Sequence, residues 1–509
     1  MSITPENLRL ILGLKVKSLR QRRDLSLTDL AKKSGMSVSY LSEIESGRKF
    51  PKPEKVIRLA DALGTRYQEL VSPELSGELE ALDALFETGF LREFPFDLFG
   101  LQAGDLLGLL SDDPVKAAAF VQTFLEVGES YDVQVEQFLF AALRSYQRLH
   151  SNYFPELEEA AQEYRRSHGW TVGEPLEDRL REVLEDEYGY VIEDEGLAGR
   201  EELATLRSVF LEGEPPRLLL NPKLTSSQKA FLYGREIGFR VLRLEERAIT
   251  STWVRVESFN QILNNFKASY FAGALLLDAD ALTAALERFW SRKDWSPEAY
   301  LELMAEFHAT PEMFAYRLTE ILPGRFGMDR LYFMRFHHPT GSNRFELNKI
   351  LNLTGMAVPR GVGLAEHYCR RWVTIRLLQD LERMRVSGEM EPGPPLVLGE
   401  RAHFVQEDAE FFVISVSHPL RLQGEGNSCM TLGFLMDDAF KRRVGFWDDA
   451  GIESWEVGLT CERCPIPEGE CEVRQAPPTL LDHHREQKRK LEALQRLQEE
   501  EVKAESASR

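Results

Sequence analysis

The sequence predicts a multidomain chain with an all-α helix-turn-helix head, a helical connecting region and an α+β body. Three observations lead there. The stretch Leu27 to Pro53, LTDLAKKSGMSVSYLSEIESGRKFPKP, carries two short helical patterns around Gly35. Residues 1 to 70 hold 14 Lys and Arg against 8 Asp and Glu, a balance of +6, whereas the whole chain carries −20. From about residue 175 short apolar runs alternate with amphipathic, capped helical patterns.

In the head, Leu30, Ala31, Leu41 and Ile44 fall at helical spacing on either side of Gly35. A tight helix-helix turn needs a residue there that tolerates positive φ. Ser37 stands at the N-cap of a second helix, expected from about Val38 to Glu45 and stopped by Gly47, Pro51 and Pro53. Amphipathic helices are expected on either side, at Leu8 to Arg23 and Glu54 to Leu63. A basic module on an acidic body suits phosphate contact, because neutralising phosphates releases counterions. In this geometry the second helix enters the major groove by its N-terminal residues. Ser37, Ser39, Tyr40 and Glu43 are therefore the candidates for base readout, and Thr28, Arg48, Lys49 and Lys52 for phosphates. Glu43 has a second reading, as a structural partner of Arg48. The expected partner is double-stranded DNA, bound as a homodimer.

The 509 residues suggest roughly three domains at about 150 residues each, and 43% hydrophobic residues can bury real cores. No signal-like N-terminus, no membrane-length apolar run and only five cysteines point to a reduced, cytoplasmic protein. No Gly-rich phosphate loop is present. Residues 72 to 174 read as connecting or dimerising helices, through PVKAAAFVQTFLEVGE and VEQFLFAALRSYQRLH. LEDRLREVLEDEYGYVIED reads as a helix running into a strand, and LRSVFLEGEPPRLLLNPKL as two strands. Thr225 and Gln228 then form a capping box that opens the helix TSSQKAFLYGREIGFRVLRL. A further helix contains ILNNFKASYFAGALLLD.

The head resembles the XRE (lambda-repressor-like) family over residues 9 to 71. The order strand, LLLNPKL, capped helix and FAGALLLD helix resembles the ImmA/IrrE-like domain, a zinc-peptidase fold, here placed at 175 to 325. Enzymes of that family carry HExxH on the first helix and a glutamate ligand on the second, four residues before the Phe of FA. Here the motif reads Arg235-Glu236-Ile237-Gly238-Phe239, and Lys267 stands at the third position. None of the ten histidines has another four residues away, so no displaced pair restores the metal. Two fixed cations do not hold a dication. The resemblance thus implies a metal-less pseudo-peptidase. Either a cation pairs with Glu236 in an inert site, or Arg235, Glu236 and Lys267 line a pocket for a carboxylate or phosphate ligand.

LYFMRFHHPTGSNRFELNKILNLTG reads as strand, turn and strand, GVGLAEHYCRRWVTIRLL as a helix, and FFVISVSHPLRL and CMTLGFL as strands. They form a sensor-like domain over 326 to 480, before a charged helical tail at 481 to 509. His337 and His338 lie near a turn and read either as ligand contacts or as ordinary hydrogen-bonded core or surface groups. Cys461, Cys464 and Cys471 are spaced CxxC-x6-C, a candidate structural zinc site needing a fourth ligand, for which His483 or His484 is placed. Packed or redox-sensitive thiols are the competing reading, and Cys369 and Cys429 read as ordinary buried residues. From 73 to 478 the ordering resembles bacterial regulators responsive to short-chain fatty acyl groups or acyl-CoA. That implies a non-enzymatic regulator with an anionic effector. The alternative is a DNA-targeted metallopeptidase, against which the missing HExxH weighs.

Overall fold

The computed structural model describes residues 5–73, 135–250, 258–356, 366–388, 395–420 and 426–507, with 256, 358 and 422. The expected helix at 114 to 129 lies outside the described residues, whereas VEQFLFAALRSYQRLH forms the helix Val135–Leu149. The chain divides into two compact units, Met1–Tyr146 with Glu257–Phe259, and Gln147–Val256 with Asn260–Arg509. Among the described residues no single helix is long and apolar enough to cross a membrane.

The head is a bundle of five helices, α1 (Pro5–Gln21), α2 (Leu27–Ser34), α3 (Val38–Glu45), α4 (Pro53–Leu63) and α5 (Tyr67–Val71). Leu12, Val16, Leu30, Leu41, Ile44, Val56, Leu59, Leu63 and Leu70 form its core. Every α2 and α3 position expected to face inward does so. A capping box of Ser26 and Asp29 starts α2, and Gly35 ends it at φ 67°. Between α1 and α3 the backbones nearly touch, because Gly13 has no side chain to hold them apart.

In the second unit, α6 (the helix Val135–Leu149, shared with the first) is followed by α7 (Pro155–Ser167) and α8 (Glu177–Asp186). Three short strands, β1 (Val191–Glu193), β2 (Ser208–Leu211) and β3 (Arg217–Leu220), pair in the order β1-β3-β2. Next come α9 (Ser226–Val241) and α10 (Phe259–Leu276). Thr225 and Gln228 form the expected capping box on α9. Gly234 and Gly238 of α9 lie against Ala272 and Ala268 of α10, which lets these two helices approach closely.

Three more helices, α11 (Ala279–Trp290), α12 (Pro297–Glu306) and α13 (Pro311–Ile321), bury their apolar faces on one side of a six-stranded sheet. Its strands are β4 (Leu331–Pro339), β5 (Glu346–Asn352), β6 (Leu396–Phe404), β7 (Ala409–Pro419), β8 (Gly426–Leu435) and β9 (Ser454–Val457). They run in the order β5-β4-β8-β7-β6-β9. The other face is covered by α14 (Val373–Ser387), with Trp372, Ile375 and Leu378 against Phe336, Phe404 and Phe411. This helix begins later than the expected 361 to 378. The reason is visible at its start: Cys369 N–H donates to Leu459 O and Cys461 N–H to His367 O, so the backbone there pairs as a bridge. The short α15 (Asp438–Arg443) and the terminal α16 (Thr479–Ala507) complete the unit.

Candidate functional site

The head presents α3 outward on a braced frame. Ser37 Oγ accepts from Tyr40 N–H at the N-cap, and Leu41 and Ile44 are fully buried beneath. Arg20 of α1 grips Glu45 at the far end of α3, at 2.7 and 2.9 Å, and donates to Leu25 O at 2.8 Å. Two parallel charge-assisted bonds of this kind fix an angle as well as a distance. Of the eight candidate contacts, Thr28, Ser37, Ser39, Arg48, Lys49 and Lys52 are exposed, and Tyr40 and Glu43 are half-buried. The carboxylate of Glu43 pairs with Lys49 at 3.2 Å, so the structural partner expected in Arg48 is Lys49. The Tyr40 ring has Lys55 Nζ 3.8 Å and Lys49 Nζ 5.0 Å from its centroid. Lys55, on α4, was not among the candidates, since only the fold brings it over the reading helix. Val38 is an exposed apolar residue on the same helix. Lys49→Ala and Lys55→Ala will each weaken DNA binding on all sequences and lower the slope of affinity against salt by about one counterion. Affinity measured against salt concentration on two unrelated duplexes checks this.

In the second unit, the three positions of the degenerate motif are spread along α9. Arg235 and Glu236 are buried, and the carboxylate of Glu236 accepts two bonds from Arg247, at 2.6 and 2.7 Å. Tyr190 OH donates to the same carboxylate at 3.2 Å, and the Arg247 guanidinium lies 3.8 Å from the Phe210 ring and 4.1 Å from the Phe239 ring. Burial pushes the Tyr190 phenol up to about 12, aided by the charge of Glu236. Glu236 is thus held by Arg247 and Tyr190, not by Lys267. Arg235 donates instead to Asn265 Oδ1 of α10, and burial pulls its guanidinium down to about 10.

The residue that faces Arg235 from α10 is Asn265, two positions before the expected Lys267, which is half-buried. A zinc ion does not fit this donor set, because the single carboxylate is already bound and its neighbours are guanidinium groups. Among the described residues, no three His, Cys, Asp or Glu side chains are arranged to hold a metal ion. Neither Arg247 nor Tyr190 was legible: one sits in an irregular loop, the other just before β1. Metal analysis of the whole chain is expected to give the same zinc content for wild type and Glu236→Ala. A loss of one equivalent in the variant would restore the metallopeptidase reading.

The cysteine cluster has a different fourth member from the one expected. Cys461, Cys464 and Cys471 line a small cavity together with Cys369, Arg370, Thr460 and Arg474. Cys369 is therefore not an isolated core residue, whereas Cys429 is, buried in β8. His483 and His484 are exposed on α16 and do not line this cavity. Burial raises the Cys369 thiol to about 11 and also raises Cys464. His337 is buried in β4, and His338 Nδ1–H donates to Arg344 O at 2.9 Å.

Residues 11–72 match the family described as a helix-turn-helix domain, and residues 199–319 the peptidase family M78, described as an IrrE N-terminal-like domain. An uncharacterized HTH-type transcriptional regulator of Sinorhizobium fredii is 36% identical over 67 residues, 13% of this chain and 87% of that protein. The chain belongs to the HTH-type transcriptional regulators. It is a DNA-binding regulator of the XRE type with an ImmA/IrrE-like domain behind its head. The HTH-type transcriptional repressor RghR of Bacillus subtilis is 38% identical over 60 residues, 12% of this chain and 44% of the repressor. A solved transcriptional regulator of Mycobacterium tuberculosis superposes with a TM-score of 0.47 at 18% identity, over 67% of this chain and 93% of that one.

Proposed function

We propose that this regulator reads a specific duplex sequence as a homodimer in the cytoplasm and is controlled by a small anionic metabolite. An acyl-CoA or a short-chain acid is the favoured class. The observation that supports it best is the pairing of a braced, exposed α3 with a body whose peptidase centre is occupied by the Glu236–Arg247 pair. A body whose Glu236 is held by Arg247 is suited to binding, and binding that differs between two states of the protein shifts DNA affinity. Base readout falls to Ser37, Ser39, Tyr40 and Glu43, and phosphate contact to Thr28, Arg48, Lys49 and Lys52, joined by Lys55.

The old zinc site is not where the ligand is placed. Arg235 is committed to Asn265 and Glu236 to Arg247, so the combined variant Arg235→Ala and Lys267→Ala is expected to leave the effector response unchanged. The deciding experiment is a genome-wide map of bound sites, followed by affinity measurements on a recovered fragment with acetate, propionate and their CoA thioesters. A change in DNA affinity with one of them supports the reading. No change with any, at concentrations that saturate acyl-binding proteins, overturns it.

A structural metal at the cysteine cavity is a second proposal: four thiols border one space, and although they are not set as a ligand group here, a bound ion would have to draw them together. It predicts one equivalent of zinc in the purified chain, lost in both Cys464→Ser and Cys369→Ser. Retention in Cys369→Ser would exclude that thiol as the fourth ligand.

A further inference from the structure

A second group of charges, on the edge of the six-stranded sheet, has more cations than its carboxylate can balance. Arg335 of β4 lies directly opposite Lys349 of β5 in the antiparallel register, and like charges so placed repel. Glu312, in the first turn of α13, reaches both: Arg335 Nη1 at 2.7 Å and Lys349 Nζ at 3.7 Å. It also receives Arg207, which precedes β2, at 3.3 Å. One carboxylate therefore serves three cations. The three bases hold the Glu312 carboxyl well below its usual range against the effect of burial, so it remains ionised and the surplus is two positive charges.

Among the described residues, nothing else around the cluster removes that surplus. His337 follows on the same edge, and burial and Arg335 depress it to about 4, so it is neutral near pH 7. His418 adds no negative charge. Glu346, opposite His337, is exposed. Glu320 is engaged with Arg317. Among the described residues, Arg335 Nε is buried without a hydrogen-bond partner. Lys349 Nζ stands 3.7 Å from the centroid of the Tyr316 ring.

The cluster is nevertheless reachable. The side chains of Lys349, Arg207, Glu312 and Arg335 keep 38, 34, 22 and 18% of their surface accessible. Burial still lowers the Lys349 ammonium from its usual range. A guanidinium fork beside an ammonium point charge is the donor arrangement that grips a carboxylate or phosphate group.

We propose that Arg207, Arg335 and Lys349 form a binding site for the carboxylate or phosphate group of a small ligand, bound beside Glu312. This places the anionic effector of the functional reading and rests on that reading for its role in control. The ligand would neutralise the surplus charge and tie together three parts of the unit: the start of β2, the first turn of α13, and the β4–β5 edge.

The test uses the full chain with propionate and inorganic phosphate as probes, each titrated against chloride at constant ionic strength. The probe with the matching group is expected to raise the melting temperature saturably, since it binds the native state alone. Lys349→Met and Arg207→Gln should each weaken that response by about tenfold, the loss of one charge-assisted bond. Neither should lower the melting temperature without ligand, because each relieves repulsion. Glu312→Gln should do the reverse, destabilising the free protein while tightening the probe. A purely structural ion-pair network gives destabilisation in all three variants and no saturable response, which would overturn the site. A saturable response that the three variants leave unaltered would overturn it too. If the site behaves as expected but DNA affinity ignores the probe, the site stands and the control reading falls. If a metabolite shifts DNA affinity equally in Lys349→Met and wild type, the control reading stands and this site falls.

Discussion

Gly13→Val will reduce DNA binding to the non-specific level while leaving most of the chain folded. A Cβ at this position would lie 2.5 Å from Ile44 O and 2.9 Å from Glu45 O, both backbone atoms of α3 that cannot swing aside. Helices α1 and α3 must therefore separate. The side chains beneath the contact, Leu12, Val16, Leu41 and Ile44, lose their fit, and overpacking of this kind costs about 1–3 kcal/mol or more. The bidentate Arg20–Glu45 pair, which spans the same two helices, is pulled out of line. A reading helix that shifts against its frame no longer places Ser39 and Tyr40 at base edges, and specific affinity falls by about a thousandfold or more. Fluorescence anisotropy on specific and unrelated duplexes measures the fall, and two unfolding transitions by calorimetry locate it in the head. Ser39→Ala, exposed on the same helix, is the control. It should alter sequence preference without moving either transition. Equal specific affinity in Gly13→Val and wild type would mean that α3 is not the reading element.

The head was legible because its signals are local. Ser37 caps α3, Gly35 ends α2 at positive φ, and Thr225 caps α9, each through bonds that reach no further than three or four residues. The strands of the sheet were legible for a similar reason, since β7 is buried from Phe411 to Ser417 and β8 from Gly426 to Phe434, through short segments rich in aromatic, β-branched and other apolar residues. What stayed hidden depended on contacts between distant parts of the chain. Cys369 joins Cys461 across 92 residues, and the bridge that brings it there also delays the start of α14. On α10 the error was one of helical phase. Ala268 and Ala272 face α9, so the residue one turn before them on that face is Asn265, while Lys267 points around the helix. Counting along a family motif gave the neighbourhood, and the close Gly–Ala contact of the two helices set the face.

Removing Arg317 will destabilise the body more than any other single truncation considered, because it strands the buried Glu158 carboxylate and takes a donor from the buried Glu320 carboxyl at once. Arg317 Nη1 and Nη2 donate to Glu158 at 2.6 and 2.7 Å, and Nη1 also to Glu320 at 2.9 Å. Its Nε donates to Leu277 O at 3.1 Å, and Tyr270 OH donates to Glu158 at 2.6 Å. All these groups are buried. Breaking a buried pair by removing one partner typically costs about 3–5 kcal/mol, so Arg317→Met should lower the body's melting temperature by several degrees and leave the head's transition in place.

The same cluster sets a pH dependence whose sign differs between its two acids. Burial raises the Glu320 carboxyl to about 8, with Arg317 opposing, because Glu158 already claims most of that guanidinium. A carboxyl raised above its unfolded value of about 4.3 favours the folded state in its protonated form. Its contribution is complete at low pH and is lost as pH rises through about 8. Glu158 is held below its usual range by Arg317 despite burial, so its contribution is lost only as pH falls into the acid range. Glu320→Gln keeps the shape and removes the titration. It should be neutral or mildly destabilising near pH 5, stabilising relative to wild type near pH 8.5, and flat between them. Melting temperatures of the two proteins across pH 5 to 9 measure this. Parallel curves would mean that Glu320 is ionised in the folded state throughout, and that Arg317 balances both carboxylates equally.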